Sequence, residues 1–279
     1  MLSTTTSHHW TLLHSKMLVV RYFLSLMLAL GLCSVMSCAN AEIPQQLRVC
    51  GDIGEIPPFT FYKRNGLAMT KTVTGLNVDF LDQILAASGR KAVYTLLPWK
   101  RCLAQASEGL FDIVLDVINT PDRQKYFAFP DPLYSMTGIY VYRTESHITG
   151  LKISDFKNTK FCVPLGWNIG YAHIPPEAIT GQPATAAQAI EMLKMKRCDV
   201  AMYQIEVARG DQLIGKKTFL NDPSISFGKM DEFPSTEMNM VVSRAVPYKE
   251  ELVSLISTGI KDMNKSGAMK KLLKNYNLL

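Results

Sequence analysis

The feature that most constrains the fold is an alternation, met twice along the chain, of short apolar runs with amphipathic segments of helical spacing. Residues 92–97 read as a strand, 99–109 as a helix, and 111–118 as a strand almost free of polar residues. A strand that is apolar on both faces must be covered on both, so the pattern predicts a mostly parallel sheet with helices on either side. The order returns further on, with a strand over 161–165, a helix over 185–196 and another strand over 199–203. The chain is therefore expected to be α/β and to build two such units.

The remaining segments fit around these units. Residues 47–52 read as a first strand, and 59–62 as a short strand running into an Asn65-Gly66 turn. In the helix that follows, Leu76, Phe80, Ile84 and Leu85 share one face, with Gly89 as a stop. Two extended stretches, 138–142 and 238–243, lie between the units. If both carry the chain across, residues 42–138 and 239–279 form one lobe, residues 139–238 form an inserted second lobe, and the two crossings form a hinge. Leu252, Leu255, Ile256, Ile260 and Met263 then pack the C-terminal helices back on the first lobe.

Residues 17–36 form an apolar run broken by Arg21, with Lys16 ahead of it and Ala39-Asn40-Ala41 behind it. This is the layout of a secretory signal removed after Ala41, which places the mature chain in the periplasm. A membrane anchor and a lipid anchor on Cys38 are the alternatives, and Met17 is a second candidate start. Removal of the signal lowers the formal charge from +6 to +4, an ordinary value. No basic block interleaved with aromatics points to nucleic acid. The four remaining cysteines, Cys50, Cys102, Cys162 and Cys198, suggest two disulfides in an exported chain, with three possible connectivities. Pairing Cys50 with Cys102 and Cys162 with Cys198 is favoured because each pair then lies in one half; buried free thiols are the alternative. None of the spacings resembles a metal site, and no cofactor is implied.

Several motifs in order resemble the family 3 extracellular solute-binding proteins of bacterial amino-acid uptake systems. They are Pro57-Pro58-Phe59, Gly75-Leu76-Asn77-Val78-Asp79, Gly109 with Asp112, Thr120-Pro121-Asp122-Arg123, and Phe129 with Pro132-Leu133-Tyr134. Residues 196–201 and 266–272 continue the likeness, which covers nearly all of the mature chain. The resemblance implies a two-lobe periplasmic-binding-protein fold of type II, hinged between its lobes and closing over a ligand. It also implies that Arg123 receives the ligand's α-carboxylate. A guanidinium suits that task because it gives two parallel charge-assisted hydrogen bonds where an ammonium is only a point charge. Arg123 directly follows the third strand, at the strand end where ligands of α/β units collect. A surface pair with Asp122 or Asp131 is the competing reading.

Other candidates are graded by position. Trp99, directly after Pro98 at a strand end, is either a cleft wall or core. Trp167 and Asn168 follow a second-lobe strand at a turn that touches the ligand in the family. Counting from Asp199, Gln204 occupies the place where amino-acid binders carry the carboxylate for the ligand's ammonium. A neutral amide cannot neutralise a buried ammonium, so Glu206, by a shift of register, or Asp116, from the first lobe, are the alternatives; Glu55 is a further ligand-binding candidate. No nucleophile–base arrangement is readable, and the expected molecule is a monomeric binding protein rather than an enzyme. A dehydratase on the same fold would need an acid/base pair drawn from Asp116, Glu206 and Glu55. The expected partners are a small amino acid or other carboxylate and a membrane protein, either an ABC permease or a sensory receptor.

Overall fold

The computed structural model describes residues 41–165, 167, 174–216, 218–229, 232 and 235–278. The export signal, Cys38 and Asn168 fall outside them.

Two sheets organise residues 42–278. In the first, β1 (Gln46–Asp52) lies between β4 (Lys91–Leu97) and β5 (Ile113–Ile118), parallel to both. β13 (Thr236–Ser243) runs antiparallel to β5, and β6 (Phe127–Ala128) and β7 (Tyr134–Met136) pair with its far edge. The second sheet has the order β10 (Ile179–Gly181), β9 (Phe161–Cys162), β11 (Val200–Gln204), β8 (Gly138–Arg143), β12 (Ile225–Lys229). A hairpin of β2 (Phe61–Asn65) and β3 (Ala68–Thr74) stands apart.

The sheets are mixed rather than mostly parallel, because the chain that leaves the first sheet comes back along β13 in the opposite sense. The stretch 138–142 is also more than a crossing. Ile139, Tyr140 and Val141 are all buried, and β8 satisfies their backbone by pairing antiparallel with both β11 and β12. The chain passes from the first sheet to the second at Thr137, and the first sheet is rejoined at β13. We refer to the two sheets with their helices as lobe 1 and lobe 2.

Helix periodicity explains the packing. In α1 (Leu76–Ala87), Leu76, Phe80, Leu81, Ile84 and Leu85 are buried at the i, i+4 and i+5 spacing of one face. The long α6 (Lys249–Ser266) buries Leu252, Ile256, Ile260 and Met263 against the same lobe. It breaks at Gly267, whose φ of 77° L side chains rarely adopt, before α7 (Ala268–Asn275). The remaining helices are α2 (Trp99–Ser107) and α3 (Pro121–Gln124) in lobe 1, and α4 (Ala186–Lys194) and α5 (Ile205–Leu213) in lobe 2.

Both favoured disulfides are present. Cys50–Cys102 ties β1 to α2, and Cys162–Cys198 ties β9 to the residue pair leading into β11. All four residues are fully buried.

Candidate functional site

The C-terminal ends of β1, β5 and β11 meet across a cleft that encloses about 770 Å³, part of it open to solvent. Lobe 1 lines it with Asp52, Glu55, Ile56, Trp99, Asp116 and Arg123; lobe 2 lines it with Trp167, Tyr203, Gln204, Val207, Asp211 and Lys216.

Arg123 is placed by a short helix stop-start. β5 ends at Ile118, the Thr120 hydroxyl caps α3 by accepting from the Arg123 N–H at 3.3 Å, and Pro121 fills the first helical position. This turns the Arg123 side chain back over the strand end, where it is only 8% exposed. One guanidinium nitrogen donates to the Ile118 carbonyl at 3.1 Å, and the guanidinium carbon lies 5.6 Å from the Trp99 ring centroid. Burial pulls its pKa down to about 10, against the opposing field of Asp122. Asp122 itself pairs with Lys125 and Asp131 with Lys261. Trp99 serves as both core and cleft wall: it packs with the Cys50–Cys102 disulfide, Val114, Val117 and Phe127 while also lining the cavity.

Asp116 is aimed by an irregularity in β5. Ile118 pairs with Met238 and Val117 with Asn239, whereas Val114 pairs with Val241, so Leu115 and Asp116 together oppose Met240. Such a bulge bends the strand and redirects a side chain, and Asp116 takes a φ of 58°, which aspartate tolerates better than most residues. Its carboxylate accepts hydrogen bonds from Thr60 (2.7 Å), Asn77 (2.7 Å) and Tyr134. Tyr134 is held in turn by stacking on Phe59, centroid to centroid 4.1 Å. Burial raises the Asp116 pKa to about 6, the three donors resist that rise, and the neighbouring Asp52 adds to it. Asp52, at the end of β1, is likewise raised by burial, while the Gly54 N–H, Lys216 and the Trp167 indole stabilise its charge.

Lobe 2 contributes little free charge. Gln204 lines the cleft and is 9% exposed. Glu206 lies one turn-step further on, away from the lining, and its carboxylate accepts the Thr137 N–H at 2.9 Å, bracing the hinge. Asp211 accepts from the Tyr203 hydroxyl at 2.8 Å. Lys216 reaches across the cleft, 3.0 Å from the Glu55 carboxylate and 3.2 Å from the Gly54 carbonyl. Burial pushes the Glu55 pKa up, but Arg64, the Tyr62 N–H and Lys216 outweigh it and leave the carboxyl below its ordinary value. Glu55 therefore faces the cleft with its charge already engaged. Beside this bridge, Gly210 of α5 sits against the Pro57–Pro58 segment; a Cβ there would lie 2.2 Å from the Pro57 carbonyl oxygen.

The structure thus gathers Arg123, Asp116, Trp99, Trp167, Gln204 and Glu55 around one cleft and leaves Glu206 at the hinge. Sequence reasoning passed over Asp52, Tyr203, Asp211 and Lys216. The strand-end argument that singled out Arg123 applies equally to Asp52, the last residue of β1, and to Tyr203, next to last in β11. Lys216 carries no such signal, because its partner Glu55 belongs to the other lobe. Among the described residues, no group of three or more His, Cys, Asp or Glu is placed to hold a metal ion.

Two mixed sheets with a lined cleft between them make a two-lobe fold of the periplasmic-binding-protein kind. Residues 47–278 match the model of the bacterial extracellular solute-binding proteins, family 3, and the chain belongs to that family. It is 24% identical to the L-cystine-binding protein TcyJ of Escherichia coli (strain K12), over 87% of this chain and 89% of that protein. The fold superposes on the crystal structure of the substrate-binding protein of an amino acid ABC transporter with a TM-score of 0.69, at 21% identity, covering 83% of this chain and 98% of that one. An ancestral arginine-binding protein bound to arginine superposes with a TM-score of 0.65 at 20% identity, covering 84% of this chain and 99% of the other. The family is one of extracellular solute-binding proteins, and the fold is that of the two-lobe binding proteins.

Proposed function

We propose that the protein captures a small carboxylate-bearing solute, an amino acid or amino-acid derivative, by closing its lobes over the cleft, and presents it in the closed form to an ABC permease. The observation that carries this reading is Arg123: a buried guanidinium backed by an aromatic face, its pKa lowered by burial, at the strand end lining the cavity. A carboxylate placed there regains for the cation what burial removed and accepts two of its N–H groups. Trp99 and Trp167 wall the site from opposite lobes, so closure also removes apolar ligand surface from water. The amino-acid ligands named for the relatives are consistent with this class of solute. Presentation to a permease needs a form that differs between empty and loaded states, and the Lys216–Glu55 bridge ties one lobe to the other in the form seen here.

The experiment is thermal melting of the exported chain against the common amino acids, L-cystine, hydroxyectoine and simple organic acids, since a ligand specific to the folded state raises the midpoint with its occupancy. Arg123→Ala should weaken the best ligand by about 2–5 kcal/mol. An unchanged affinity would remove the reading.

A further inference from the structure

The hairpin of β2 and β3 belongs to neither large sheet, and the fold treats its two ends differently. At the base, Val73 is buried with Val78 and Leu96, and Tyr62 packs against the same group. Glu55 fixes the base further, accepting from the Tyr62 N–H at 2.9 Å and from both terminal nitrogens of Arg64. The tip has no such packing. Leu67 is 84% exposed and Met69 61%, the two most exposed large apolar side chains among the described residues. Single exposed apolar residues are common, but these two stand together at the end of a braced hairpin, beside a turn at Gly66 with open space around it.

The charge around the tip is of one sign. From Ile56 to Val78 the sequence holds no Asp or Glu, and Lys63 and Lys71 are exposed on the hairpin. Among the described residues, the ion pairs of this region are Arg64 with Glu55 and Lys216 with Glu55 and Asp211, and neither lysine takes part in one. The neighbouring surface of lobe 2 continues the pattern. Leu67 leans on Gly215, where an added Cβ would lie 2.8 Å from a Leu67 methyl carbon. Two residues earlier the exposed Leu213 ends α5, and the exposed Arg209 lies one helical turn before it on the same stripe, with no ion pair to a described residue. Neither the hairpin nor Arg209 nor Leu213 lines the cleft.

Charge and shape choose what covers this face. The solute of the cleft does not reach it, and a second copy of the same face would set unpaired cations against their own kind. A narrow hairpin with an apolar end and cations set behind it has the form that enters a lipid surface: the apolar side chains reach the acyl boundary while the cations stay at the level of the headgroups. We propose that the tip of the β2–β3 hairpin docks the protein on an anionic membrane surface, with Leu67 and Met69 inserted and Lys63, Lys71 and the neighbouring Arg209 on acidic headgroups. Two apolar side chains and three cations give a reversible attachment rather than an anchor. The inference does not rest on which solute is captured. A chain that hands its cargo to a membrane protein would shorten its search by residing on the surface that holds that protein.

The test is co-sedimentation of the exported chain with vesicles of phosphatidylcholine alone and of phosphatidylcholine mixed with the acidic lipid phosphatidylglycerol. The acidic vesicles should retain the protein, and retention should fall as salt rises from about 0.1 M to about 1 M, over which the screening length shrinks from about 10 Å to about 3 Å. Lys63→Glu with Lys71→Glu should lower partitioning by about 30-fold or more. Leu67→Ser with Met69→Ser should lower it by about 10-fold or more, a loss that diffuse attraction of a basic protein to acidic lipid does not produce. Both double variants should keep the parent's melting midpoint and its response to solute, because every changed side chain is exposed and outside the cleft lining. No retention on the acidic vesicles overturns the inference and leaves the face to a protein with an acidic groove; retention that survives either double variant undiminished overturns it too. Should a double variant fold poorly, a polarity-sensitive dye attached through Met69→Cys carries the test: its emission should shift to the blue on acidic vesicles, and an unmoved spectrum overturns the proposal.

Discussion

The two lobes are built from similar parts and do different work. Lobe 1 holds the charged cleft residues Arg123, Asp116 and Asp52, each fixed by its own local device: a capped helix start, a strand bulge, or a strand end. Lobe 2 brings Gln204, Trp167 and Tyr203 to the cleft, and Lys216 and Gly210 to the contact with lobe 1. Asp116 sits in a buried frame of hydrogen-bond donors on lobe 1, whereas Lys216 and Gly210 meet lobe 1 from across the cleft. The difference suggests that a ligand docks on lobe 1 and that lobe 2 then covers it.

The disulfides offer the largest test of this division. They close loops of similar size, with sequence separations of 52 and 36 residues. Replacing either pair with alanine should cost about 4 kcal/mol in stability by the loop-entropy relation, readable by chemical denaturation. The ligand response should differ, however. Loss of Cys50–Cys102 loosens α2 behind Trp99 and should lower affinity, while loss of Cys162–Cys198 should leave affinity near its parent value. Equal losses of affinity would break the comparison.

The pH response of the unliganded protein is the next test. With a folded pKa of about 6 against an ordinary value of 3.8, Asp116 binds its proton more tightly in the folded state than in the unfolded one. Its contribution is therefore favourable at low pH and is lost as pH rises from about 4 to 6. The loss is on the order of 3 kcal/mol, and Asp116→Asn should abolish that part of the slope. Glu55 has the opposite sign, since its folded pKa is depressed: its contribution is present above its ordinary value of 4.5 and disappears as pH falls below it.

Closure itself supplies the two smaller effects. Gly210→Ala puts a methyl group against the Pro57 carbonyl, and overpacking of this kind costs about 1–3 kcal/mol. The clash lies between residues of different lobes, so with lobes that part in the empty protein the change should appear in ligand affinity and in a larger radius by solution scattering rather than in the melting of the empty protein. Lys216→Ala removes a bridge that is partly open to solvent and should weaken binding by about 0.5–1 kcal/mol. Glu55 stays paired with Arg64 in that variant, so the lobes should keep their individual stability.

Much of this was legible in the order of the residues, and the parts that were not share a cause. The apolar run into Thr120-Pro121-Asp122-Arg123 announces a strand, a cap and a side chain turned over the strand end, all local features. The cysteine pairing followed from each pair belonging to one half. Asp116 was visible as the one charge in an apolar run, but the bulge that aims it depends on its pairing with β13, more than a hundred residues away. Glu206 was misplaced relative to the cleft because two steps along a helix from Gln204 turn a side chain to the opposite side, here onto Thr137. Lys216 has no local signature at all, since its partner Glu55 belongs to the other lobe.

The contact of Gly210 with the Pro57 backbone has one more consequence. Two pieces of main chain that meet without an intervening side chain leave no room there for the lobes to come closer, so in a protein whose lobes close over cargo this contact would set the depth of closure. The cleft then acts as a caliper. A molecule that fits beneath the stop allows Lys216 to reach Glu55, and one too tall holds the jaws apart, however well its charges match.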